Sequence, residues 1–342
     1  MGTLFSQLQG ASSEEVSFAS SQASIAYSHR FIVATDQGRT GTERVGKDAE
    51  RVAADARGIM AMDDLATHQS ALPNLRDLTG LTPSLTPGLV FRSAAPAPTP
   101  SAGAALASLG ITHIFDLRSA TELDGALVIV EVPPPIQRRH VPVFTRDDDN
   151  DDFAPEAVAW RYRAYTAEDT VTGFRDAYAA ILRAAPRAFA EVLAHLAQPD
   201  PTPCLVHCTA GKDRTGVLCA LLLTLCGVPD QLVAREYALT EDGLRPLRAD
   251  IVQRLRRMPA LDGDLAAAER MLSAKPESML ATLDMVRQEY GSAEDYVINQ
   301  CGLSAQQLAQ LRRNLGASDA QTAASEPPTS TMRQTRCADL VI

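Results

Sequence analysis

The stretch HCTAGKDRTG, from His207 to Gly216, has a cysteine and an arginine on either side of a short turn that contains a glycine. Apolar runs precede and follow it, which predicts a strand, a tight turn and a helix. That geometry directs backbone N–H groups and the positive end of the helix dipole at one point, where an oxyanion binds. Gly211 lets the backbone turn sharply and approach a ligand closely. Arg214 adds a planar guanidinium that can hold two phosphate oxygens at once.

Cys208 lies at the end of the predicted strand CLVHC, on the floor of this cradle. The same N–H groups and Arg214 would stabilise a thiolate there. A thiolate beneath a bound phosphate can attack phosphorus and form a phosphocysteine intermediate. Thr215 follows Arg214, and we expect its hydroxyl to hydrogen-bond the sulfur and help it leave in the second step. The phosphate would be bound by the residues of the turn: Thr209, Ala210, Gly211 and Lys212.

The leaving phenoxide or alkoxide needs a proton from a general acid, and two aspartates are candidates. Asp213 lies within the cradle itself, next to Arg214. Asp147 opens the acidic run that follows HVPVF. Several aspartates beside an anionic substrate would repel it unless most of them point away, which weighs against the acidic run. The sequence leaves both residues open as the acid.

The loop resembles the Cys-x5-Arg loop of the cysteine-dependent protein tyrosine phosphatase superfamily, in its bacterial and fungal branch of tyrosine and dual-specificity phosphatases. Further motifs of that branch occur in order: NLRD (Asn74–Asp77), FRSA (Phe91–Ala94), LGITHIFDLRSATE (Leu109–Glu122) and YGSAEDYVINQCGLS (Tyr290–Ser304). The resemblance covers residues 74–315. It implies an aspartate at position 213 and acidic residues near position 147. We expect these supporting residues to orient or brace the loop: His207, Asn74, Arg76, Asp77, Asp116 and Arg118.

Alternating strand and helix signals predict an α/β fold, with a central, mainly parallel sheet flanked by helices and a helical C-terminal extension. The longest apolar run, GVLCALLLTLCGV, is too short to cross a bilayer and indicates a buried helix. Three segments are expected: a disordered or weakly helical leader (1–71), a phosphatase domain (72–316) and a disordered tail (317–342).

Composition limits the partners and the compartment. The formal net charge of −10 argues against a nucleic-acid partner, because phosphate backbones are held by clustered Lys and Arg. The six cysteines form no disulfide-like framework and no signal peptide opens the chain, which predicts a reducing, cytoplasmic location. MGTLFS matches the myristoylation pattern, so membrane contact is expected only if Gly2 is myristoylated.

We therefore predict a phosphatase that hydrolyses phosphotyrosine, with phosphoserine and phosphothreonine as further candidates, through a phosphocysteine on Cys208. Neither a metal nor another cofactor is expected, since the chain around His207 and Gly211 fits neither a metal site nor a nucleotide-binding P-loop. Two alternatives stay open. One is the same chemistry on phosphoinositide lipids, which a myristoylated Gly2 and a second positive charge from Lys212 at the rim of the loop would both suit. The other is a non-catalytic module that binds phosphorylated partners.

Overall fold

The computed structural model describes residues 68–80, 85–124, 134–146 and 152–317. Most of the expected leader and nearly all of the expected tail, including Gly2, lie outside these ranges, as does Asp147. The strands of the described ranges form one sheet: β1 (Arg76–Asp77), β2 (Val90–Ser93), β3 (His113–Asp116), β4 (Gln137–His140) and β5 (Cys204–His207). Their order is β1-β2-β5-β3-β4, and every neighbouring pair is parallel except β1 with β2. The predicted α/β fold with a mainly parallel sheet is confirmed.

In the described ranges, helices pack against the sheet, and further helices follow the last strand along the chain. In chain order they are α1 (Pro100–Ser108), α2 (Ala120–Asp124), α3 (Pro155–Thr166), α4 (Thr170–Ala184), α5 (Pro186–Leu196), α6 (Asp213–Leu225), α7 (Asp230–Gly243), α8 (Arg248–Arg256), α9 (Leu265–Leu272), α10 (Pro276–Tyr290), α11 (Ala293–Asn299) and α12 (Ala305–Asn314). A 3-10 turn, Arg245–Leu247, precedes α8. Among the helices of the described ranges, four begin at a proline, whose fixed φ suits the first helical position and whose missing N–H costs nothing there.

Strand β5 lies at the centre of the sheet, between β2 and β3. Its residues CLVH are all buried, as expected for a parallel strand covered on both faces. The register places His207 beside Ser93 of β2 and Asp116 of β3. The carboxyl ends of these three strands therefore meet at one edge, and the loops that leave them converge there.

Side chains of β5 alternate between two apolar clusters, because successive residues of a strand point to opposite faces. Val206 packs in the larger cluster with α4, α5, α6 and α10, while Leu205 packs in a smaller one under α1. The apolar run after the loop forms α6, which is buried along almost its whole length. No helix of the described ranges has both the length and the apolar character that a membrane span requires.

Two histidines pack together at the opposite end of the sheet from the loop. The ring centroids of His113 and His195 are 4.5 Å apart, and His195 Nε2 lies 2.9 Å from Thr202 O. Burial lowers the pKa of both imidazoles, and His195 lowers that of His113 further. Folding therefore favours the neutral rings. Their contribution to stability is present above the ordinary pKa of about 6.5 and is lost as the pH falls through the lowered folded pKa.

We expect replacement of His195 by Gln to reduce the acid sensitivity of the fold, because an amide can still donate to Thr202 O but cannot take up a proton. The measurement is the free energy of unfolding in urea at about pH 7.5 and about pH 5.5, on either side of the ordinary pKa of histidine. The matched control is Thr282→Ala, which removes a buried hydrogen bond to Ser278 O at 2.8 Å without changing a titratable group, and should lose as much stability on acidification as the wild type. Equal losses in all three proteins would contradict the prediction.

Candidate active site

The loop between β5 and α6 turns at a glycine that no other residue can replace without strain. Gly211 has a φ of 64°, in the left-handed region that side chains disfavour. A Cβ atom at this position would lie 2.0 Å from the carbonyl oxygen of Ser93 at the end of β2. The turn therefore requires glycine for its backbone conformation and, independently, for its close packing against β2.

The carbonyl groups of the loop are held by the surrounding scaffold. The hydrogen bonds are Ala95 N to Thr209 O (3.0 Å), Asn74 Nδ2 to Ala210 O (3.0 Å) and Arg92 Nη2 to Gly211 O (2.7 Å). In a trans peptide a carbonyl and the N–H that follows it point in opposite directions. These bonds therefore turn the next three N–H groups away from the scaffold. Within the described part of the chain, the amides of residues 210–215 donate no hydrogen bond, and such a set of free amides at a helix N-terminus binds an oxyanion.

Cys208 follows β5 directly and is buried, with 2% of its surface exposed. Three cations interact electrostatically with its thiol: Arg92, Lys212 and Arg214. The nucleophilic form of a cysteine is its thiolate, whose negative charge would lie among these three cations.

Arg214 is held by a carboxylate. Its Nη1 donates to Glu122 Oε2 at 2.6 Å and its Nη2 to Oε1 at 2.8 Å, a bidentate pair. Thr209 and Ser119 donate to the same carboxylate. Burial alone would raise the pKa of Glu122, but the pairing with Arg214 outweighs it and lowers the pKa to about 2. The guanidinium is therefore fixed, and its Nε–H donates to none of the residues that the structure describes.

Sequence patterns do not point to Glu122 as a site residue. Ser119 and Glu122 match the capping box that starts a helix, and Ser119 N does donate to Glu122 Oε2 at 2.8 Å, at the start of α2. The carboxylate is also the partner of Arg214, which lies 92 positions further along the chain. No local pattern could have revealed it.

Lys212 does not lie at the rim of the loop, and that expectation is wrong. Its side chain is 2% exposed, and Nζ donates to Met271 O at 2.7 Å and to Ser273 O at 3.1 Å. It also lies 4.2 Å from the centre of the Phe174 ring and 3.2 Å from Asp213 Oδ1. Carbonyls at the end of α9 and an aromatic face replace the water that a rim lysine would have, so the ammonium group faces the protein interior.

The sequence comparisons identify the class of protein that carries this loop. The profile of the tyrosine phosphatase family matches residues 67–317. The chain belongs to the tyrosine phosphatase family. The triple specificity protein phosphatase PtpB of Mycobacterium tuberculosis is 29% identical over 267 residues, which cover 70% of this chain and 95% of that protein. A tyrosine-protein phosphatase of Nostoc commune is 28% identical over 268 residues, which cover 72% of this chain and 88% of the relative.

A buried ion network lies behind the loop of this phosphatase. Glu236 on α7 accepts hydrogen bonds from Arg92 Nη1 at 2.5 Å and from Arg76 Nε at 2.6 Å. Arg76 Nη1 also donates to Asn74 Oδ1 at 2.5 Å. Burial alone would raise the pKa of Glu236, but the two arginines outweigh it and hold the pKa below its usual range. The two side chains that bind loop carbonyls, Asn74 and Arg92, are thus fixed through one carboxylate.

Of the other predicted supporting residues, some contact the loop or its neighbour His207 and one does not. His207 Nδ1 is 3.0 Å from Cys208 O and its Nε2 is 3.7 Å from Asp116 Oδ2. Asp116 is also bound in a bidentate fashion by Arg118. Asp77 makes its hydrogen bonds to Thr79 and Gly88, so it shapes the turn after β1 rather than the loop.

The structure does not show the expected role of two of the predicted catalytic residues, Thr215 and Asp147. The Thr215 side chain is completely buried, and its Oγ1 has no hydrogen-bond partner in the described structure, the Cys208 sulfur included. Asp147 lies outside the described residues, whereas Asp213 lies at the start of α6.

Replacement of Gly211 by Ala should abolish phosphatase activity and destabilise the fold, because the new Cβ would displace either β2 or the loop. Gly110 is the matched control: its φ is 67°, but nothing lies within 4 Å of the position of a Cβ. Gly110→Ala should cost only the conformational strain, about 1–2 kcal/mol, and leave kcat/KM unchanged. Measurement of kcat/KM and of urea unfolding for both variants separates the two effects. Equal behaviour of both variants would show that the contact with Ser93 is unimportant.

Replacement of Glu236 by Gln should lower the free energy of unfolding by about 3–5 kcal/mol, because two buried guanidinium groups lose their counter-charge. The matched control is Asp284→Asn, which removes the exposed partner of Arg287 at 2.9 Å. That variant should lose less than about 1 kcal/mol. Urea unfolding at neutral pH measures both changes, and a loss at Glu236 as small as the control's would contradict the prediction.

Proposed function

We propose that this phosphatase hydrolyses phosphotyrosine monoesters of proteins, with phosphoserine and phosphothreonine as further substrates, through a phosphocysteine intermediate on Cys208. The observation that carries the proposal is the loop between Cys208 and Arg214. Its carbonyls are bound by the scaffold, and its amides have no protein acceptor in the described structure. The name of the Mycobacterium tuberculosis relative, a triple specificity protein phosphatase, supports a range of phosphorylated protein substrates.

In the first step, the Cys208 thiolate attacks phosphorus, the S–P bond forms and the bond to the leaving oxygen breaks. The free amides of residues 210–215 and the Nε–H of Arg214 bind the non-bridging oxygens, on which charge accumulates. Asp213 gives its proton to the leaving oxygen. In the second step, water attacks the phosphocysteine, the S–P bond breaks, Asp213 takes up a proton from the water, and the sulfur leaves as a thiolate.

Glu122 determines which N–H groups of Arg214 remain available to bind a phosphate. The carboxylate occupies one N–H of each terminal nitrogen of the guanidinium. The Nε–H and the second N–H of Nη2 form the other edge of the plane, which can bind two phosphate oxygens side by side once the weak contact of Nη2 with Thr209 Oγ1, at 3.4 Å, is released. Glu122 would therefore orient the arginine for substrate and need not be displaced by it.

Nothing in the described residues favours the phosphoinositide alternative. It depended on a positive charge of Lys212 at the rim and on a modified Gly2. Lys212 is buried, and Gly2 lies outside the described residues. The non-catalytic alternative has no support either, since Cys208 and Arg214 are both in place at the loop.

The deciding experiment is hydrolysis of phenyl phosphate across pH with EDTA present, for the wild type, Cys208→Ser and Asp213→Asn. We expect the wild type to turn over, Cys208→Ser to be inactive, and Asp213→Asn to lose about 10²–10⁴-fold in kcat together with the basic limb of the profile. Cys301→Ser and Asp176→Asn are matched controls, because both residues lie outside the loop and its partners, and both should behave like the wild type.

Each contrary outcome has a distinct meaning. A normal profile for Asp213→Asn would move the role of general acid to Asp147. An inert wild type would overturn the proposal for aryl phosphates. In that case, turnover of a soluble inositol phosphate would favour lipid substrates, and tight phosphate binding without turnover would favour the binding module.

A further inference from the structure

Two buried tyrosines form a hydrogen-bonded chain that ends on Asp213. The Tyr178 hydroxyl on α4 donates to Asp213 Oδ1 at 2.9 Å, and it lies 2.7 Å from the Tyr237 hydroxyl on α7. A phenol has a single proton, and that of Tyr178 is used on Asp213. Tyr237 must therefore donate to Tyr178, so that the chain runs from Tyr237 through Tyr178 to the carboxylate. Successive hydrogen bonds of this kind strengthen one another in a medium of low dielectric constant.

The chain is rigid because both rings are packed in the core. Tyr178 is completely buried and Tyr237 is 1% exposed, and the rings meet edge to face with centroids 6.1 Å apart. Gly216 on α6 makes room for Tyr237, since a Cβ there would lie 3.1 Å from its ring. Burial raises the pKa of both phenols well above the usual value, so both stay neutral hydrogen-bond donors at physiological pH.

The two oxygens of Asp213 are not equivalent. Oδ1 accepts from Tyr178 and lies 3.2 Å from Lys212 Nζ, whose position is fixed by Met271 O and Ser273 O. Oδ2 has no hydrogen-bond partner among the described residues. One edge of the carboxyl group is thus bound to the scaffold, and the other edge is left to receive or give a proton.

We propose that Tyr178, supported by Tyr237, is a positioning residue that holds the Asp213 carboxyl group so that Oδ2 delivers the proton to the leaving oxygen. The inference rests on the proposed function, in which Asp213 is the general acid. In the step itself the O–H bond of Oδ2 breaks, the leaving oxygen gains the proton, and Asp213 is left as a carboxylate that Tyr178 and Lys212 stabilise through Oδ1. The proton returns to Oδ2 from the water that attacks the phosphocysteine.

Other titratable groups also face Asp213 or Lys212: Tyr165 from α3, Glu241 from α7 and Cys208 from the loop. All of them remain in place when the Tyr178 hydroxyl alone is removed.

The test is Tyr178→Phe, which removes the hydroxyl and keeps the ring. We expect kcat for phenyl phosphate, whose leaving group needs the proton, to fall about tenfold or more. The fall should be clearly smaller for 4-nitrophenyl phosphate, whose leaving group is stable without a proton. Tyr237→Phe should have the same effect on the dependence on the leaving group, by a smaller amount, and it tests the same idea if Tyr178→Phe does not fold.

Tyr296→Phe is the matched control, because this buried hydroxyl donates to Leu182 O at 2.7 Å and takes no part in the chain. It should keep the wild-type kcat and the wild-type dependence on the leaving group. If Tyr178→Phe and Tyr237→Phe also keep both while Asp213→Asn loses them, the positioning role is wrong and the proposed function stands. If Asp213→Asn keeps them as well, the assignment of the acid itself fails, and the role of Tyr178 falls with it.

Discussion

The loop depends on one buried guanidinium group, that of Arg92. Its Nη1 is paired with Glu236 at 2.5 Å, and its Nη2 donates to Gly211 O at 2.7 Å. A charge can be buried there because the carboxylate neutralises it, and a charged donor makes a strong hydrogen bond to the carbonyl. Because a carbonyl and the amide that follows it point in opposite directions, the group behind the loop determines which way the amides in front of it face.

The cations closest to the loop are fixed before any substrate arrives. Arg214 is held by Glu122, and Lys212 is held by Asp213 and by two carbonyl oxygens at the end of α9. Charges that are already oriented stabilise a transition state without the cost of reorganising around it. The same fixation explains why the chain can be acidic overall and still form an anion-binding site. In the proposed mechanism the local charges of the loop, rather than the net charge of −10, would surround the phosphate.

Much of the fold could be predicted, because buried parallel strands and the helices between them each require a run or pattern of apolar residues that is visible in the local sequence. The apolar run before Cys208 became the central strand, and the run after Arg214 became the buried helix α6. Strand β1 and helix α9 were not predicted. β1 is two residues long, which is too short to show an alternating pattern. The contact between α9 and the loop joins Met271 O to Lys212 across 59 positions of sequence, so no local pattern indicates it.

The sequence by itself determined the candidate reacting groups and their local geometry: a cysteine at the end of an apolar strand, a glycine at the turn and an arginine at the start of a helix. These features are set by neighbours along the chain, so they can be recognised without a structure. Only the tertiary structure decided which partner each charged group has. Glu122 reaches Arg214, Glu236 reaches Arg92 and Tyr178 reaches Asp213 across 92, 144 and 35 positions of sequence. Packing brings these pairs together, and packing leaves no pattern in a single sequence from which a particular pair could be identified.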